Sequence, residues 1–491
     1  MTTGPILARP GTLPADAGTL TGALREAVVT MLAALGTLAC AMAIAPEPGP
    51  AVLAVVLCVS LSRSQLDRDR RGRLEAAVAL QLVGLAATGV GYLLLHLPWL
   101  GAAVFVAGMA ASIWLRRFGP MARRAGGLIA LPFVAILTTP YVPTRHAGHA
   151  LAVLLPIIVA LLALLWVTLC HALARRLHLL PQPTHAIAVH TPSARRPDAM
   201  PRLDAPTRMA IQMAVALAAA FVVGYVFFAE RWAWIVLTAF IVNSGNRGRL
   251  DVAYKSVLRI LGAGLGTLLA LVLALHLGAH DGATVGWILV AVFFGVWLRP
   301  FGYAWWALFV TIALALLQGF EGGPAGGILG LRLEEIVIGA ALGLAAAWFV
   351  FPLRSTDVLR RRLADALATL ADAFDPATPA RTPDELQAAL AQVQQLAPAF
   401  RASRLATARL RTRQPADWID LLGACQLHAH ALLARGQAPG DVRRAIGAAR
   451  QALREPDQLA AALQRLRGAL AHAASTTEAA TSVSPVSARP G

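Results

Sequence analysis

The chain has 491 residues, 57 % hydrophobic and 14 % charged, with a mean hydropathy of +0.62. That composition excludes a soluble globular protein and leaves most of the chain facing lipid. The formal charge of +17 comes from 43 basic and 26 acidic residues, with Lys255 the only Lys, and the Arg residues cluster at the ends of apolar stretches, which reads as membrane topology and not as a nucleic-acid surface.

Residues 1–23 form a cytoplasmic N-terminal segment without the apolar core of a signal peptide. A membrane helix needs about 20 mainly apolar residues, and such stretches predict spans at 24–45, 50–62, 74–95, 98–115, 125–143 and 149–172. After a Pro- and Arg-rich linker at 173–204 they resume at 206–228, 232–243, 255–278, 283–298, 302–319 and 331–352. The fold expected is therefore an all-α integral membrane protein of about 12 transmembrane helices. Arg is retained on the cytoplasmic side. Arg follows every even-numbered span, from Arg63 and Arg68 through Arg116, Arg175, Arg247 and Arg299 to Arg354, so both termini are expected in the cytoplasm.

The halves 24–172 and 205–353 look like two parallel six-helix repeats. Arg71-Gly72-Arg73-Leu74 is echoed by Arg247-Gly248-Arg249-Leu250, and Leu115-Arg116-Arg117-Phe118-Gly119 by Leu298-Arg299-Pro300-Phe301-Gly302. From 354 to 473 the pattern becomes that of a helical cytoplasmic domain, with Val358, Leu359, Leu363, Leu367 and Leu370 on one face. Its further helices are expected at 384–411, 416–435, 440–454 and 457–473, with Thr382-Pro383-Asp384 as a helix start, and 474–491 reads as a disordered tail.

Several residues stand out as candidates for a substrate pathway. Gly262 and Gly266 share a helix face, which suits close helix packing or a contact with substrate, and Thr267 follows them. Arg259 lies a turn before them; it either snorkels to lipid phosphate or, with Arg247, Arg249 and Lys255, draws anions to the mouth of the spans. Asn243 ends the short eighth span, which suits either a loop or the interrupted helix at which a transporter holds its substrate. Trp232 and Trp234 fit an interfacial belt or stacking with an aromatic acid. Glu334 and Glu335 are carboxylates about a turn inside the last span, with Arg332 to pair with one and the other left to exchange protons. In the tail, Arg401, Arg404, Arg409, Arg411 and Arg413 suit anionic lipid or a solvated helix face.

The four Cys residues, Cys40, Cys58, Cys170 and Cys425, have no neighbours at metal-ligand spacing, so neither metal nor disulfide is expected. No phosphate-binding glycine loop, nucleophile elbow or His-Glu-x-x-His helix is present in the sequence. Catalysis and a cofactor are therefore not expected.

The run Trp232-Ala233-Trp234-Ile235-Val236-Leu237-Thr238-Ala239, then Arg247 and Arg249, then Arg259-Ile260-Leu261-Gly262-Ala263-Gly264-Leu265-Gly266-Thr267, resembles the fusaric acid resistance family. Its members are also called aromatic acid exporters and include the p-hydroxybenzoic acid efflux pump. Arg332-Leu333-Glu334-Glu335 through Gly339 to Phe351-Pro352 is similar to the family's closing helix. The resemblance is best over 205–352 and fainter over 24–172. The chain departs from many members in replacing a long cytoplasmic domain between the halves with a linker.

The resemblance implies an efflux transporter of a bacterial inner membrane, carrying organic anions such as aromatic carboxylic acids on the proton gradient or the membrane potential. It also implies membrane lipids, a periplasmic adaptor and an outer-membrane channel as partners, and leaves a homo-oligomer open; no nucleic acid is expected. A passive anion channel resembling the aluminium-activated malate transporters, and a membrane scaffold that transports nothing, are the alternatives.

Overall fold

The computed structural model describes residues 20–65, 84–87, 89–119, 149–180, 203–229, 231–277, 280–320, 325–375, 383–409, 414–436 and 439–482, with isolated positions between 122 and 137. Among the described residues the regular elements are all helical. They fall into two compact units, one within Met1–Ala186, Leu203–Ser244 and Lys255–Phe351, the other within Gly245–Tyr254 and Pro352–Gly491.

The first unit is built from α1 (Leu20–Ile44), α2 (Pro48–Gln65), α3 (Gly84–His96), α4 (Pro98–Trp114), α5 (His149–Arg176), α6 (Ala205–Phe227), α7 (Trp232–Asn243), α8 (Arg249–Ala274, from Lys255 onward), α9 (Gly282–Leu298), α10 (Tyr303–Phe320) and α11 (Ala325–Phe349). Seven helices, α1, α4, α5, α6, α8, α9 and α10, are long and apolar enough to cross a membrane. α5 exposes Leu161, Leu165, Leu169 and Leu173, and α8 exposes Leu261, Leu265, Leu268 and Val272. Such apolar stripes at helical spacing are stable against lipid and not against water. The chain is a multi-pass membrane protein.

The seven match predicted spans, while α2, α3 and α7 are shorter apolar helices. The fifth predicted span, 125–143, lies almost wholly outside the described residues, as do Arg71–Leu74, the first 19 residues and most of the 173–204 linker. The last membrane helix begins earlier than expected, at Ala325 and not at 331. Arg332 is therefore seven residues into it, about 10 Å along the axis, and not at its boundary.

α1, α2 and α5 pack on one another around Ala33, Leu57, Leu61, Ala163 and Val167. They approach closely because α1 offers Gly36 to the Trp166 indole, where a Cβ would lie 2.6 Å from the ring. α4, α6 and α7 share a second core containing Phe105, Met213, Phe221 and Ile235. α9 and α10 form a hairpin through the 3-10 turn Arg299–Phe301, with Phe294 and Phe309 stacked at 5.5 Å.

Helix ends are tied to one another by polar contacts. Trp297 Nε1 donates to the Leu20 carbonyl at 3.2 Å, Tyr225 Oη to that of Pro98 at 3.2 Å, and Gln212 Nε2 to that of Val350 at 2.9 Å. Arg117 lies 3.8 Å from Asp204, and the amide of His280 donates to the carbonyl of Phe320 at 3.2 Å.

The second unit holds α12 (Ser355–Ala373), α13 (Pro383–Gln394), α14 (Ala397–Thr407), α15 (Pro415–Ala434), α16 (Gly440–Ala452) and α17 (Pro456–Ser482) around one apolar core. Leu359, Leu363, Leu367 and Leu370 enter it from α12, with Val358 at its edge. The helix expected over 384–411 is two helices, because Pro398 has no amide to donate and its ring would clash with the carbonyl four residues back, that of Gln394, where the first helix ends. α17 continues to Ser482, past the expected end at 473. Arg401 and Arg404 pair within the unit while remaining partly exposed: Arg401 Nη2 lies 2.6 Å from Asp420, and Arg404 Nη1 lies 3.0 Å from Asp417 and 2.9 Å from Asp420. Arg411 and Arg413 lie outside the described residues.

Candidate functional site

The short helix α7 packs against α6 and α11 in the membrane unit. Every residue from Ala233 to Phe240 is buried, which its unbroken apolar run requires, since no face of it is polar enough for water. Twelve residues reach about 18 Å, short of the roughly 30 Å hydrocarbon layer.

α11 runs parallel to α7 and meets it along one face. Arg332, Glu335, Gly339 and Gly343 recur at three- and four-residue spacing and so share that face. A Cβ at Gly339 would stand 2.5 Å from the Ile235 carbonyl oxygen, and one at Gly343 would stand 2.6 Å from Asn243 Nδ2. The two glycines let the backbones touch.

At the other end of this seam the face turns polar. Arg332 is 3 % exposed and its guanidinium lies 4.1 Å from the centre of the Trp234 ring. None of its three nitrogens has a hydrogen-bond partner among the described residues. Glu335 is fully buried; Arg231 Nε is 3.3 Å from its Oε1, an ion pair without hydrogen-bond geometry, and both carboxylate oxygens lack a hydrogen-bond donor. Glu334, two positions from Arg332 and off the shared face, is exposed.

α8 supplies the second cation. Arg259 is 2 % exposed, its Nε has no hydrogen-bond partner, and it lies within electrostatic reach of Arg332 and of the buried Tyr303 hydroxyl. α8 reaches this position by close packing on α10. A Cβ at Gly262 would stand 2.7 Å from the Ala304 carbonyl oxygen, and one at Gly266 would stand 2.6 Å from that of Leu308. Gly264, on another face, has only Leu333 Cδ1 at 4.0 Å. Both glycines named from the sequence thus serve helix packing here.

Buried polar atoms without partners gather around the two arginines. Of those found among the described residues, the ones on Arg259, Tyr303, Arg332 and Glu335 belong to this group, with Thr238 a turn along α7 from Trp234, while Thr207 Oγ1, Asn243 Oδ1, Thr267 Oγ1 and His430 Nε2 lie apart from it. A native interior satisfies nearly all its buried polar groups, so a local cluster of exceptions points to a site that handles a polar ligand or a proton.

Other candidates sit elsewhere. Trp232 joins an aromatic group with Phe221 and Tyr225, at 5.4 Å from each. Asn243 Nδ2 donates to the Ala239 carbonyl at 3.1 Å and its Oδ1 is unpartnered. Arg247 belongs to the second unit, where its Nη1 donates to the Gln395 carbonyl at 3.0 Å. Lys255 Nζ donates to the Ser244 carbonyl at 3.1 Å. The sequence reading missed Arg231, Thr238 and Tyr303. The i, i+3 spacing of Arg332 and Glu335 was the available signal that Glu335, and not Glu334, shares the arginine's face.

Residues 215–346 match the family described as fusaric acid resistance protein-like. No curated protein and no solved structure matches the chain. The matched span contains Arg231, Trp234, Arg259, Tyr303, Arg332 and Glu335. Residues 215–346 of this multi-pass membrane protein are therefore similar to the fusaric acid resistance family, a family of membrane transporters.

Proposed function

We propose that the chain exports organic anions, aromatic carboxylic acids among them, across a bacterial inner membrane. The observation that carries this reading is Arg332, a guanidinium deep in the membrane unit with a Trp234 ring on one side and no hydrogen-bond acceptor for any of its nitrogens. A buried cation of this kind is costly unless a ligand's charge completes it. A carboxylate matches the planar donor set of Arg, and an aromatic body matches the apolar surroundings.

Glu335 gives the site its coupling. It is the fixed carboxylate nearest to hand for the same cations, so substrate and Glu335 compete for positive charge. A proton taken up by Glu335 removes that competition, and its release restores it, which ties substrate occupancy to the proton gradient or the membrane potential.

The two-repeat, twelve-span arrangement with both termini in the cytoplasm is part of this reading. Parallel packing of α7 and α11 is what that topology asks of spans eight and twelve. Each helix-end contact, Trp297 with Leu20, Arg117 with Asp204, Gln212 with Val350, Tyr225 with Pro98 and His280 with Phe320, also joins ends assigned to one side. The second unit then lies in the cytoplasm, and a periplasmic adaptor with an outer-membrane channel would complete the route.

The test is uptake of radiolabelled p-hydroxybenzoate into inverted membrane vesicles with and without an imposed proton gradient. Gradient-driven uptake that is lost in Arg332→Ala supports the exporter. Flux that follows voltage and ignores protons favours a channel, and no flux of any aromatic or aliphatic carboxylate removes the transport reading.

A further inference from the structure

The three-helix bundle of α1, α2 and α5 contains a second polar group, remote in sequence from the arginine site. His171 is 2 % exposed and Ser62 is 1 % exposed in a membrane-spanning bundle. His171 Nδ1 is 2.9 Å from the Val167 carbonyl oxygen, and its Nε2 is 3.0 Å from Ser62 Oγ. Ser62 Oγ is 2.7 Å from Thr30 Oγ1, and Thr30 Oγ1 is 2.9 Å from the Glu26 carbonyl oxygen. The result is an unbranched line across three helices that begins and ends on backbone carbonyls.

Both ends accept and cannot donate, so the four contacts need four hydrogens. A neutral imidazole supplies one, Ser62 one and Thr30 one. One contact is then left with two lone pairs facing each other at hydrogen-bond distance. An imidazolium supplies the fourth hydrogen: Nδ1–H to Val167, Nε2–H to Ser62, Ser62 O–H to Thr30 and Thr30 O–H to Glu26, every donor running the same way.

We propose that His171, Ser62 and Thr30 form a proton-binding site in the membrane, a line of hydrogen bonds that is complete only when the imidazole carries its second proton. The three residues lie near one end of the bundle, where Ser62 precedes the end of α2 at Gln65 and His171 precedes the end of α5 at Arg176. A proton therefore has about two helical turns to cross from that end.

The other titratable or charged groups toward that end are Arg25 and Glu26 on α1, Cys170, Arg175 and Arg176 on α5, and His178 just beyond. The side chain of Arg63 on α2 lies outside the described residues. Burial of the ring opposes the second proton first, and the nearby Arg175 charge adds to it; hydrogen bonds from a charged donor, stronger than neutral ones, favour it. This inference does not depend on the identity of the exported anion.

The experiment is nitrogen NMR of the full-length protein in lipid nanodiscs, labelled at histidine, across pH 5 to 8, with the His171 signals identified by their loss in His171→Gln and their displacement in Ser62→Ala. Both ring nitrogens of His171 are expected to become protonated within that range. Thr30→Val leaves a neutral imidazole with both nitrogens paired, Nδ1–H to Val167 and Nε2 accepting from Ser62, and Ser62→Ala takes away the acceptor for Nε2–H of the imidazolium; each is expected to move the midpoint toward acid by about one pH unit. A His171 that stays a single neutral tautomer throughout, or a midpoint that neither substitution moves, overturns the proposal.

Discussion

The guanidinium of Arg332 lies 4.1 Å from the centre of the Trp234 ring, and the two helices that carry them touch along Gly339 and Gly343. The glycine contacts fix the register of α11 on α7, and that register puts the charge over the indole. Replacing Arg332 by Ala is expected to weaken p-hydroxybenzoate binding by at least about 30-fold, the scale of losing one partner of a buried charge pair. Arg332→Lys should recover only a fraction of it, because an ammonium lacks the planar fork and stacks less well on Trp234. Equilibrium binding to the purified variants checks both.

Glu335 is buried where Glu334 is exposed, two neighbours separated by the helical turn. Glu335→Gln should leave vesicle uptake indifferent to an imposed proton gradient, whereas Glu334→Gln should keep the response of the parent. Equal behaviour of the two variants would remove Glu335 from the coupling.

Close packing of α8 on α10 depends on two positions without side chains. Gly262→Ala and Gly266→Ala each place a Cβ under 3.0 Å from a backbone carbonyl oxygen of α10, so backbone must move. Each should cost about 1–3 kcal/mol and lower the thermal midpoint of the detergent-solubilised protein, while Gly264→Ala, whose nearest neighbour is a flexible leucine tip at 4.0 Å, should be neutral.

In the second unit, burial pushes the Asp420 carboxyl up, but hydrogen bonds from Arg401 and Arg404 outweigh it and hold it below the usual carboxylate range. The folded value is thus below the unfolded one. The stabilisation is full above the unfolded carboxylate range, near about pH 4, and is lost as pH falls through the depressed folded value. Asp420→Asn should cost no more than about 1 kcal/mol at neutral pH, since the pair is partly exposed, and should flatten the acid limb of the unfolding curve.

The membrane character, the boundaries of α6, α7, α9 and α10 and the amphipathic face of α12 were legible because apolar runs and 3.6-residue spacing follow from burial alone, whereas α8 begins at Arg249, six residues before the expected 255, because its first turns are polar. Gly262 and Gly266 were legible for the same reason: a face without side chains has a packing consequence. The break at Pro398 was overridden by the periodicity on either side of it, although proline chemistry announces it. Arg231, Tyr303 and the Thr30–Ser62–His171 line were not legible, since each becomes a partner only when helices far apart in sequence are brought together. The depth of Arg332 was also hidden, because the glycine-rich start of α11 at Ala325 reads as a loop until it is seen as helix.

The most direct measurement is equilibrium binding of radiolabelled p-hydroxybenzoate to the purified full-length protein, set against its methyl ester, for the parent and for Arg332→Ala. The buried-arginine account predicts saturable binding of the acid, little binding of the ester, and loss of acid binding in Arg332→Ala. Equal binding of acid and ester, or acid binding that survives the loss of Arg332, would contradict it.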